Sequence, residues 1–279
     1  MKTRIIVDST ADLMPEFKSR VHTVPLTVNF GMEEYIDGVT IDHKTFYEKL
    51  IESDVLPTTS QATPDAFIKE FEKVKEAGES AVVITLASQF SGTHQSAMIA
   101  AEDFENIYIV DSASAAMGSG ILVELAFRLL DSGMSAEEIA KTLEEEKKKI
   151  VIVALVDTLE YLKKGGRVSK TVAFAGTVLN IKPVLSVIDG EINMLGKARG
   201  SKMGNNLLVQ EIDKAGGIDF SKPVLLGYSG LSDVLLLKYI EDSRHIWEGK
   251  LDEVRYTTVG SVIGTHAGPG AVVVAFFKN

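Results

Sequence analysis

The stretch Ala81-Val82-Val83-Ile84-Thr85-Leu86-Ala87-Ser88-Gln89-Phe90-Ser91-Gly92-Thr93-His94-Gln95-Ser96 holds the change of pattern that sets the fold. A short run rich in β-branched residues reads as a strand over Ala81–Leu86, which passes through a Ser/Gly turn into a helix over Thr93–Phe104. The same order recurs on either side. Arg4–Val7, Ile107–Val110 and Ile150–Val156 read as strands, with helices over Pro64–Lys75, Met117–Leu130 and Ala136–Lys149, the last opened by a capping box from Ser135 to Glu138. Strands alternating with helices specify a parallel sheet wrapped by helices. The segment Val21–Thr40 fits neither template clearly.

Beyond Asp157 the pattern changes. Val184–Ile188 and Glu191–Gly196 flank Asp189-Gly190, a dipeptide suited to a type I′ hairpin turn. Helical stretches Gly200–Lys214 and Asp233–Trp247 then alternate with strands near Pro223–Tyr228, Glu253–Val259 and Ala271–Phe277. The expected architecture is α/β: an N-terminal parallel-sheet α/β/α domain over residues 1–156 and a C-terminal α+β domain over 157–279. A length of 279 residues suits two modest cores. There is no internal repeat and no flexible linker.

With 45% hydrophobic and 24% charged residues the chain buries enough apolar surface to fold compactly. A formal charge of -10 argues against general attraction to nucleic acid or an anionic membrane. The absence of cysteine excludes disulfides, thiolate catalysis and Cys-ligated metals, and the other metal ligands are scattered, so no metal site is expected. Neither a signal-peptide core nor a run of about 20 uncharged residues is present, so the expected location is the cytoplasm without stable membrane insertion.

Three strand ends carry small hydroxyl residues: Asp8-Ser9-Thr10, Ser88 to Thr93, and Asp111-Ser112. In a parallel sheet these turns share the carboxyl edge, where ligands bind. Ser91-Gly92-Thr93 opens a helix, whose unpaired N–H groups and dipole favour an anion; an ordinary N-cap explains the same residues. In Pro57-Thr58-Thr59-Ser60-Gln61-Ala62-Thr63-Pro64-Asp65, capping accounts for Thr63 to Asp65. It leaves Thr58 to Gln61 divided between loop solvation and ligand binding. Gly264-Thr265-His266-Ala267-Gly268-Pro269-Gly270 reads as a glycine-rich loop that places a histidine where close approach is possible. Lys163-Lys164-Gly165-Gly166-Arg167 reads as a helix C-terminus, with Arg167 past the cap and able to engage a phosphate or carboxylate; Lys197-Ala198-Arg199-Gly200 is a second basic cluster.

Together with Asp8-Ser9-Thr10-Ala11-Asp12-Leu13 and Leu159-Glu160-Tyr161-Leu162, these stretches resemble, in this order and over nearly the whole chain, the DegV family of bacterial fatty-acid-binding proteins, the lipid-carrying subunits of fatty acid kinase. The resemblance implies a long-chain fatty acid such as palmitate in a closed apolar tunnel between the domains. Its carboxylate would meet Thr59, Ser91 and His266, with Ser60 and Gly92 alongside. Ala62 and Ala267 depart from the family's usual Pro and Thr, which removes no proposed ligand but weakens hydrogen bonding around His266. No G-x-x-x-x-G-K-[ST] loop or G-x-G-x-x-G turn is present, so ATP and its metal belong to a separate kinase subunit, with Arg167 or Arg199 contacting that partner or the phosphate.

Two other classes fit the residue types. One is a serine hydrolase acting on acyl esters, with Ser91 as nucleophile, His266 as base and Asp8 or Asp111 as orienter, although Ser91 lies outside a G-x-S-x-G elbow. The other is a phosphotransferase-like or phosphate-sensing turn built on Asp8 and Asp12, although Asp12 also reads as a helix start.

Overall fold

The computed structural model describes residues 2–168 and 181–279. In chain order the first part runs β1 (Thr3–Asp8), α1 (Pro15–Lys18), β2 (His22–Val24), β3 (Thr27–Phe30), β4 (Glu33–Ile36), α2 (His43–Glu52), β5 (Thr58–Ser60), α3 (Pro64–Glu76), β6 (Ser80–Thr85), α4 (Thr93–Ala101), β7 (Ile107–Asp111), α5 (Ala116–Asp131) and α6 (Ala136–Glu146), with a 3-10 turn at Lys147–Lys149. Then follow β8 (Ile150–Leu155), α7 (Glu160–Gly165), β9 (Ile181–Ile188), β10 (Glu191–Arg199), α8 (Gly200–Lys214), β11 (Leu225–Tyr228), α9 (Val234–Asp242), α10 (Arg244–Trp247), β12 (Tyr256–Thr258), α11 (Ser261–Ala267) and β13 (Val272–Phe277).

The expected parallel sheet is present with order β2-β1-β6-β7. Its strands are apolar on both faces because helices cover both. Ile5, Val7, Val82 and Ile84 pack into the core that contains α5 and α6, whereas Ile6, Ala81 and Val83 alternate into the core of Phe67, Phe71 and Ala97 from α3 and α4. Strand periodicity thus divides one run of hydrophobic residues between two cores.

A second sheet has order β10-β9-β8-β13-β11-β12 and is antiparallel except for the β11–β12 pair. Asp189 and Gly190 have φ of 51° and 74°, as a type I′ turn requires. β8 corrects one expectation. It follows α6 as another βα unit would, but it pairs antiparallel with β13 and β9, so the two sheets divide before Ile150 rather than after Val156. Local pattern cannot distinguish a strand by its partner when both faces are apolar.

α5 lies between the sheets, with Ala116 through Phe127 all buried. One core therefore includes Ile5 and Val7 of the first sheet, Ile121 and Leu125 of α5, and Ile152 and Val273 of the second. Glu124, a buried carboxylate of α5, is met by Arg128 and Arg255 at 2.9 and 2.8 Å. The segment Val21–Thr40 supplies β2, β3 and β4, and β3 pairs with β4 and β5 in a small third sheet. No helix among the described residues is long and apolar enough to cross a membrane.

Candidate functional site

A cavity of about 420 Å³ opens where α11, the turn after β6 and the inner face of the second sheet meet. Ile152 and Ala154 of β8, Leu185 and Val187 of β9, and Val273 of β13 form an apolar wall. Thr59, Ser60, Ser91, Gly92, His266 and Arg167 line the same cavity, so six residues singled out in the sequence converge on it. Arg199 does not. It stands exposed at the far end of β10, paired across the hairpin with Ile181.

Thr59 is placed by β5, whose register sets it opposite Val28 of β3. Thr58 and Ser60 are exposed on the alternate positions, while Thr59 is half-buried and lies 3.0 Å from His266 Nε2. The Ser60 hydroxyl accepts a bond from Asn29 Nδ2 at 3.3 Å, so Ser60 is a rim residue.

His266 corrects the expected loop: it belongs to α11, and the glycines around it serve packing and termination. A Cβ on Gly264 would lie 2.5 Å from Tyr47 Oη, and Gly268 ends the helix with φ of 70°. Burial first, and then the Arg167 charge, push the His266 pKa from 6.5 down to about 4, so the ring is neutral near pH 7. Its Nδ1 is buried and meets no partner among the described residues. An orphaned acceptor costs less than an orphaned N–H, which assigns the proton to Nε2. Nε2–H then donates to Thr59 Oγ1, and the Thr59 hydroxyl hydrogen is left for another acceptor.

Ser91 is placed by a different route. Its Oγ accepts from the Thr93 N–H at 3.3 Å and lies 2.9 Å from Thr93 Oγ1, while Thr93 Oγ1 accepts from the Ala62 N–H at 3.3 Å. Either hydroxyl of this pair can donate to the other, and Ser91 stands on the cavity wall. The cavity therefore combines a hydrocarbon wall with two hydroxyl donors and a neutral imidazole, a set suited to an amphiphile with a hydrogen-bond-accepting head.

Other assemblies are not made. No hydrogen bond joins Ser91 to His266, whose Nε2 is directed at Thr59 and whose Nδ1 meets no carboxylate among the described residues. Asp8 is held by Thr10 and by the Leu86 N–H, and Asp111 by the N–H groups of Ser88 and Ala113. The hydrolase triad is thus unassembled. Asp12 does not start α1, whose N-cap is Met14; it accepts from the Gly260 N–H at 2.9 Å. Among the described residues no three His, Asp or Glu side chains could hold a metal ion.

The DegV family model, described as that of an uncharacterised protein, matches residues 2–279. The chain belongs to the DegV family. It is 36% identical to a DegV domain-containing protein of Caldanaerobacter subterraneus subsp. tengcongensis, over 99% of this chain and 98% of the relative. A solved structure described as fatty acid binding of a DegV family protein from Thermus thermophilus superposes with a TM-score of 0.88 at 30% identity, covering 99% of this chain and 100% of that one. A stearic-acid-binding protein from Eubacterium ventriosum gives a TM-score of 0.88 at 29% identity, covering 100% and 99%.

Three contributors to this DegV site escaped sequence reasoning. Gln61 donates to Ser96 Oγ at 3.0 Å, and a Cβ on Gly92 would lie 2.2 Å from its Oε1, so the amide locks the β5–α3 turn over the start of α4. Thr93 orients Ser91. Gly165 lets α7 lie against α11, because a Cβ there would lie 2.1 Å from His266 Nδ1. Arg167 follows at the exposed rim, donating to the carbonyls of Phe90 and Gly165 at 3.3 and 2.7 Å.

Proposed function

We propose that this chain binds a long-chain fatty acid such as palmitate in the cavity and presents the carboxylate to a separate ATP-dependent kinase subunit, which converts it to an acyl phosphate. The observation that carries the reading is the pairing of an apolar wall with the hydroxyl groups of Thr59 and Ser91 on one cavity. The cavity volume lies within the range of roughly 300–1,000 Å³ usual for small-molecule sites. Burying about sixteen methylene-scale groups at roughly 0.8 kcal/mol each gives a gross gain of about 13 kcal/mol before the costs of association. The tail supplies affinity, and the head requires satisfaction.

Neutral donors satisfy a carboxylate without neutralising it, so its oxygen keeps the nucleophilicity needed to attack a γ-phosphorus with ADP leaving. The exposed Arg167 guanidinium lines the rim, which supports a role in steadying the incoming phosphate. Arg199, away from the cavity, is confined to a contact with the partner's surface. The binding reported for the Thermus and Eubacterium structures supports the ligand class.

The test is calorimetric titration of delipidated protein with palmitate and with methyl palmitate. Saturable palmitate uptake, weakened in the ester, is expected, together with long-chain acyl lipid released on denaturing the purified protein. Delipidated protein that takes up no palmitate overturns the reading. Adding a candidate kinase and ATP, with hydroxylamine to trap acyl phosphate as a hydroxamate, tests the presentation step separately.

A further inference from the structure

A second cleft, of about 810 Å³, lies at the N-terminal end of α11, whereas His266 lies near the other end of that helix. Five carboxylates border it: Asp8, Asp12, Asp37, Asp42 and Glu48. Three are answered. Asp8 accepts from Thr10 and Leu86, Asp42 caps α2 by accepting from the Thr45 N–H at 2.7 Å, and Glu48 pairs with Lys44 at 3.7 Å.

Asp12 and Asp37 are different. Each is only 3% exposed, yet Asp12 Oδ2 and both Asp37 oxygens meet no donor among the described residues. Burial pushes the Asp37 pKa up to about 6, against the pull of the neighbouring Ser9 and Ser261 hydroxyls and the Ser261 N–H, none of which meets hydrogen-bond geometry. The cations bordering the cleft leave the pair without an ion pair among the described residues: Lys44 is engaged with Glu48, Lys18 acts on Asp12 only through its charge, which opposes the rise that burial causes in the Asp12 pKa, and burial keeps His43 neutral. Two buried carboxylates with three oxygens lacking donors are costly in isolation, and a cation with several N–H groups removes that cost.

A point metal ion does not match, because no three ligating side chains among the described residues converge. A planar fork of donors spans two carboxylates without requiring convergence. The walls suit a stem behind such a fork, since Val21, Val39, Tyr228 and Leu231 border the cleft, and Val39 and Leu231 are exposed. We propose that this cleft is a second binding site, separate from the apolar cavity, that takes a guanidinium group carried on an aliphatic stem and bridges it between Asp12 and Asp37. The group belongs either to a free guanidino compound or to an arginine side chain of a polypeptide.

Calorimetry on the full chain near neutral pH distinguishes the two sources, using agmatine as the free probe and the capped tripeptide acetyl-Gly-Arg-Gly-amide as the polypeptide probe. Saturable binding of either is expected, weakened at least about tenfold in Asp37→Asn and in Asp12→Asn, with far-ultraviolet circular dichroism reporting the fold of each variant. Binding of agmatine assigns a free ligand, and binding of the tripeptide alone assigns a polypeptide. Absence of saturable binding by both probes at millimolar concentration, undiminished binding in both folded variants, or equal displacement of the probe by magnesium chloride overturns the proposal.

Discussion

His266 Nε2 lies 3.0 Å from Thr59 Oγ1, joining the last helix to a strand 207 residues earlier across the mouth of the cavity. With the imidazole donating, the Thr59 hydroxyl hydrogen is left for a ligand, and Ser91, beside Thr93, stands on the same cavity. If these hydroxyls meet the ligand head, Thr59→Ala and Ser91→Ala each weaken palmitate binding by about 1–3 kcal/mol, roughly 5- to 150-fold in Kd, because a buried carboxylate then loses a donor. Titration of delipidated variants checks this. Full affinity in both would move the head group elsewhere.

The histidine and the second-cleft carboxylate impose opposite pH dependences on stability. His266 has its pKa pushed down to about 4, so only the unfolded chain takes up its proton between pH 6.5 and about 4, and stability is lost as pH falls through that window. Asp37 is pushed up to about 6, by burial first and by the Asp8 charge in addition, so the folded chain holds a proton that the unfolded chain releases, and stability is lost as pH rises from about 4 to 6. Urea denaturation across pH 4–7 should show His266→Gln gaining on the parent as pH falls and Asp37→Asn gaining as pH rises, each by up to roughly 3 kcal/mol. Differences that do not vary with pH would show that neither group is held in its neutral form.

Where chemistry and local geometry coincide, the sequence was legible. The β6 turn and helix, the Asp189-Gly190 hairpin and the Ser135–Glu138 capping box depend on neighbours within a few residues, and each appears as expected. β8 was legible as a strand but not by partner, because its pairing with β13 is a long-range choice. The glycines flanking His266 read as a loop, yet Gly264 is small because Tyr47 and Phe46 press on it, a contact between distant segments. Asp12 and Asp37 gave no signal as a pair, being separated in sequence and brought together only by the fold.

Gly165 and Gly92 test how rigidly the site is supported. A Cβ at either position meets a side-chain atom, at 2.1 Å from His266 Nδ1 and at 2.2 Å from Gln61 Oε1 respectively. The imidazole ring is planar, half-buried and held by Thr59, whereas the Gln61 amide is the end of an exposed flexible chain. Gly165→Ala is therefore expected to lower stability by about 1–3 kcal/mol and to weaken palmitate binding through His266. Gly92→Ala should cost about 1 kcal/mol, through loss of the Gln61–Ser96 bond. Equal thermal and binding effects in the two variants would show that His266 is not rigidly held.

Ala154 lies on the apolar wall, in the middle of β8, where a small side chain leaves room in the cavity. Its register partners, Leu185 on β9 and Val273 on β13, border the same space, so a larger side chain at this position has no other direction in which to grow on that face of the sheet. Ala154→Phe should consume volume that a long acyl chain needs and spare a shorter one. Each methylene refused costs about 0.8 kcal/mol of burial, so exclusion of two or three should shift the preference by roughly 15- to 60-fold toward the shorter acid. Competition between laurate and stearate on delipidated protein measures that ratio directly. An unchanged ratio would mean that the acyl chain runs along a different wall, with the β8 face outside its path.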